Sequence, residues 1–80
     1  MDDREASARE RSVAAHERSQ RTHERAAAIH ELSAEFWDEQ DRPDKAAYER
    51  EQAKQQREIA ELERQRAAHV RSERRPHTDV

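Results

Sequence analysis

Residues 39–45, EQDRPDK, hold the one proline that lies deep inside an 80-residue chain with no glycine at all. Nothing constrains the fold of this chain more. Proline suits the first turn of a helix but disfavours helix for the residue before it. Away from this point, Ala, Glu, Arg and Gln dominate, and all four are strong helix formers. The pattern predicts a first helix over about 3–40, a turn near 41–43 and a second helix over about 43–73. A short turn makes the two helices antiparallel neighbours, so the expected fold is an all-α hairpin forming a single domain over 1–75. Asp41 or Asp44 is expected to cap or charge the second N-terminus. Ser7 with Glu10 has capping-box spacing, which predicts fraying before residue 7. Pro76 is expected to stop the second helix and leave 76–80 as a flexible tail.

The chain has little with which to build a core. Apolar residues make up 31% of it, and most of them are alanine. A hairpin that buries so few large side chains is marginal alone, because each ordered residue opposes folding by about 1–2 kcal/mol of backbone entropy. Pairing with a second copy, as a homodimeric four-helix bundle or coiled coil, or with another helical protein is therefore expected. Charged residues are 44% of the chain, a level that also occurs in disordered segments, but the helix-forming composition argues for long helices. With no cysteine there is neither a disulfide framework nor a thiolate metal site. No apolar run is long enough to span a membrane, and MDDREASARERS lacks the apolar segment of a signal peptide. A cytoplasmic location follows as the default. Of the 16 basic residues only Lys45 and Lys54 are lysines, which reads as the coding bias of a GC-rich bacterial genome.

At about 100° per residue, Ile29, Phe36, Thr22, Ala15 and Ser33 share one stripe of the first helix, with Leu32 beside it. Trp37 and the column His16, His23, His30 border the other side. The whole arc is wide and rich in small residues, as suits a helix with two neighbours. On the second helix Tyr48, Gln52, Gln55, Ile59, Leu62, Arg66 and Val70 share a face, flanked by Ala46, Ala53, Ala60 and Ala67. The expected helix-packing residues are Ile29, Leu32, Phe36, Trp37, Tyr48, Ile59 and Leu62. Phe36, Trp37 and Tyr48 are expected to pin the corner. The stretch AEFWDEQDRPDKAAY, residues 34–48, resembles the inter-helix turn of tetratricopeptide repeats. No second copy lies one repeat length, about 34 residues, away. The peptide-binding function of that family is not carried over.

The triplet His-Glu-Arg occurs at 16–18 and 23–25, followed by His-Glu-Leu at 30–32. Histidines seven apart lie about 10.5 Å apart along a helix, too far for two of them to hold one ion. His16, His23 and His30 are thus candidate metal ligands only if another helix or chain supplies the rest. No nucleophile sits beside a base, so no enzyme, cofactor or small-molecule substrate is expected. If the column is buried at a helix–helix seam, protonation would charge that seam, and association is expected to weaken as pH falls below histidine's ordinary value of about 6.5. The plainest role for the column is the border of a helix seam.

Charge is uneven. Residues 1–40 carry six basic and ten acidic side chains, and 41–80 carry ten and nine. Arg64, Arg66, Arg71, Arg74 and Arg75 make the last turns basic and are candidate anion contacts. The turn region is acidic. A hairpin acidic at its corner and basic at its open end favours antiparallel pairing with a second one. The expected function is that of a small scaffold, adaptor or regulatory subunit working through helix–helix contacts. The alternatives are nucleic-acid binding through the basic segment and a histidine-based metal or pH sensor.

Overall fold

The computed structural model describes residues 3–73, which form two helices, α1 (Asp3–Glu39) and α2 (Pro43–Ser72). They pack side by side as an antiparallel hairpin with no strand among the described residues. The tail expected over 76–80, its Pro76 stop, and Arg74 and Arg75 lie outside the described residues. The hairpin is a flat slab of 62 × 25 × 11 Å.

The turn is built without glycine. Asp41 takes a left-handed backbone with φ of 59°, a conformation that aspartate tolerates better than most residues. Its N–H donates to the Asp38 carbonyl at 3.0 Å, and the Arg42 N–H donates to the Trp37 carbonyl at 2.9 Å. These two bonds, closing around a left-handed residue, form a Schellman end and satisfy carbonyls that α1 would otherwise leave bare. Pro43 then opens α2 at its first turn, where its missing N–H costs nothing. The cap position falls on Arg42, whose side chain makes no capping bond, so Asp41 and Asp44 do not cap α2. Asp44 instead places its charge in the first turn, where it faces the positive end of the helix dipole. The capping box at Ser7 is not used either. α1 is already helical from Asp3, with Asp3 and Glu5 as the acids of its first turn.

The seam between the helices is made of the chain's smallest apolar residues. Val13, Ala27 and Ala34 are buried on α1, and Ala46, Ala53, Ala60 and Ala67 on α2. No large side chain is fully buried. This corrects the expectation that the large apolar residues pack the hairpin. Ile29 and Tyr48 are each 62% exposed, and Leu32, Phe36, Ile59 and Leu62 are exposed as well. Trp37 is half-buried. The physical reason is the position of the seam. α1 turns its histidine column inward, and this rotates Ile29 and Phe36 out of the contact.

Candidate helix-pairing interface

Each histidine of the column meets a polar side chain on α2. Nδ1–H of His16 donates to Oε2 of Glu63 at 2.7 Å. His23 donates to Oε1 of Gln56 and His30 to Oε2 of Glu49, both at 2.6 Å. The acceptor-only carboxylates, and the amide oxygen, assign the proton to Nδ1 in the neutral ring. In every pair the two residue numbers sum to 79, so the helices keep one register along the seam. Trp37 continues the column toward the turn. Lys45 Nζ sits 4.2 Å from its ring centroid, and Phe36 packs edge-on with centroids 5.0 Å apart. Trp37 therefore pins the corner, while Tyr48 stays on the outside.

Glu63 is the one buried charged residue among those described, at 7% exposure. Both its oxygens are used: Oε2 accepts from His16, and Oε1 accepts from Arg66 at 2.5 Å. The His16 hydrogen bond holds the Glu63 carboxyl below its ordinary 4.5; Arg66 adds to this, and burial opposes it. No buried side-chain nitrogen or oxygen of the described residues lacks a partner. The polar seam is fully satisfied, which is the condition for such a network to specify a register.

The residue after each histidine does a second job. Glu17 pairs with Arg71, Glu31 with Arg57 and Asp38 with Arg50, and these numbers sum to 88. The fourth rung, Glu24 with Arg64, is not made. Arg64 bonds Glu61 on its own helix, Nε to Oε2 at 2.8 Å, and Gln20 bonds Glu24 at 3.0 Å. The His-Glu-Arg repeat is thus a two-column lock, with histidine in the seam and the acid reaching across one broad face. The signal was present in the sequence. Acids at 17, 24, 31 and 38 match arginines at 50, 57, 64 and 71, all at seven-residue spacing.

The opposite broad face is different in kind. Side chains one residue before each seam histidine point away from those one residue after it. Ile29 and Phe36 on α1, and Tyr48 and Leu62 on α2, therefore share the face remote from the acid–arginine ladder. Ile59, one residue before a seam alanine, lies on the same face, and Leu32 sits on the outer edge of α1. The α1 row on this side is Ser12, Ala15, Ser19, Thr22, Ala26, Ile29, Ser33 and Phe36, without one charged residue. Its 3-and-4 spacing is that of a second helix seam.

The remaining candidates are placed plainly. Among the described residues no group of three or more His, Asp or Glu side chains gathers to hold a metal ion. The histidines face Glu63, Gln56 and Glu49 one at a time, spread along the hairpin. They lie in the hairpin's own helix–helix seam, within one chain. Of the candidate anion contacts, Arg64, Arg66 and Arg71 are bonded to Glu61, Glu63 and Glu17. No helix among the described residues is long and apolar enough to cross a membrane. Comparison with family models, with curated proteins and with solved structures finds no match.

Proposed function

We propose that this chain is a small structural or interaction protein that acts by docking the broad face that carries its exposed apolar residues against another helical surface, without catalysis or a cofactor. One observation carries the reading. Five of the six exposed large apolar residues, all but Leu32, fall on a single broad face of a hairpin whose other face is locked by ion pairs. Scattered surface apolar residues need no explanation, but a one-sided set on a slab with an alanine core marks a contact surface. The hairpin acts as a stiff frame, and the face is what it presents. Nucleic-acid binding is the weaker alternative, since the described basic candidates already answer to carboxylates within the hairpin.

An environment-sensitive apolar dye tests this reading. At sub-micromolar protein the dye is expected to light up on the wild-type chain, and Ile29→Ser with Ile59→Ser is expected to abolish the signal while helicity by circular dichroism persists. A helical wild-type chain that leaves the dye dark, or a double variant that binds it equally, contradicts the reading.

A further inference from the structure

Resting on that reading, we infer that the occupant of this apolar-bearing face, whose α1 row carries no charge, is a second copy of this chain, turned antiparallel about a two-fold axis near Ala26. The first support is the row of residues itself. Along α1 the face is small toward the open end (Ala15, Ser19, Thr22) and large toward the turn (Ile29, Ser33, Phe36). Reversing one copy on the other sets large against small: Phe36 on the partner copy's Ala15 position, and Ile29 on its Thr22 position. Both pairs sum to 51, so the axis crosses α1 between 25 and 26. Seam side chains pack best when large and small alternate across a contact in this way.

The second support comes from α2, which plays no part in choosing that axis. Paired seam residues sum to 79, so the same axis crosses α2 between 53 and 54, where related residues sum to 107. Tyr48 then meets the Ile59 position and Gln52 meets the Gln55 position, apolar on apolar and amide on amide, while Leu62 meets the Lys45 position, where the methylene stem of the lysine can lie along it. Both helices accept one axis.

The third support is charge. Residues 35–45 at the turn carry five acids and two bases, net −3. At the open end, 64–73 carries three arginines and one glutamate, net +2, and 3–15 is balanced with three of each sign. The antiparallel arrangement brings each acidic turn to the other copy's basic end, whereas a side-by-side arrangement with both turns together sets −3 against −3. Area is sufficient too. Around this axis residues 12–39 of α1 overlap their counterparts, roughly 40 Å at 1.5 Å per residue; with the slab's 25 Å width this offers about 1,000 Å², and a stable complex needs roughly 800 Å² per partner. An isologous contact of this kind also closes on itself, so it leaves no open surface for further growth.

Single cysteines test this directly, since the chain has none of its own. Ala26→Cys stands beside the axis and is expected to give a disulfide dimer in high yield under mild oxidation. Ser12→Cys lies about 40 Å from its own counterpart in the pair, at 1.5 Å per residue, and is expected to stay monomeric on a denaturing gel. Ser19→Cys mixed with Ser33→Cys is expected to give a crossed disulfide that neither gives alone. The native wild-type mass by sedimentation is expected to double from the chain's 9.5 kDa. A single-chain mass at every concentration overturns self-pairing, while dye binding to the face, if seen, leaves the docking reading standing. A doubled mass with no Ala26→Cys crosslink overturns the antiparallel axis.

Discussion

The two sides of α1 use apolar residues in opposite ways. Its inner side meets α2 through Val13, alanines and hydrogen-bonded histidines, and Ile29, Leu32 and Phe36 are kept away from that contact. Its outer side carries Ile29 and Phe36 in the open. Apolar stabilisation scales with area removed from water, at about 25 cal/mol per Å². The inner contact therefore gains little from transfer and relies on closeness, register and satisfied polar pairs. The outer side holds the larger unclaimed area. The difference teaches that the two contacts have separate roles: the seam sets the shape of the hairpin, and the outer face is where the proposed pairing would find its driving force.

The largest expected effect breaks the inner side. Ala53→Leu inserts a bulky side chain where only 1% of the residue is exposed. Overpacking of this kind costs about 1–3 kcal/mol. At roughly 4–8 °C per kcal/mol for a domain of this size, thermal melts read it easily. The acid limb of stability comes next. Glu63 is depressed below 4.5, first by the His16 hydrogen bond, so its contribution is present above about pH 4.5 and is lost as pH falls through the lower folded value. Helicity is expected to fall as pH drops below about 4.5. Glu63→Gln is expected to flatten that fall in a pH titration followed by circular dichroism. Lys45→Gln removes the cation over Trp37 and is expected to cost about 0.5–1 kcal/mol in a denaturant melt. Smallest is the middle ion pair of the ladder, Glu31 with Arg57. Arg57→Ala is expected to cost well under about 1 kcal/mol, and the difference from wild type should shrink as salt is raised.

Much of the fold was legible. Pro43 in a glycine-free chain places the turn, and the composition makes the rest helix. The face of the hairpin contact was not, and the reason is specific. A hydrophobic stripe points to Ile29 and Phe36 because transfer energy favours burying large side chains first. Here the winning seam is the one in which polar partners match: His16 with Glu63, His23 with Gln56 and His30 with Glu49. That match needs both helices in register, and periodicity within one helix cannot show it. The alanines at 46, 53, 60 and 67 were the available signal, a seven-residue row of the size a close contact wants. The αL residue at Asp41 was hidden for a different reason, since glycine is the usual mark of such a turn and none is present.

The most direct test is the melting temperature of the wild type and the Ile29→Ser, Ile59→Ser double variant, measured across a wide range of protein concentration. Association stabilises by mass action, so a pairing chain melts higher as it is concentrated. The wild type is expected to show that rise. The double variant is expected to lose it while matching the wild type at the lowest concentration, where only the alanine–histidine seam holds the hairpin. A double variant that melts far below the wild type even at that dilution would contradict the account, because it would place Ile29 and Ile59 inside the hairpin's own core.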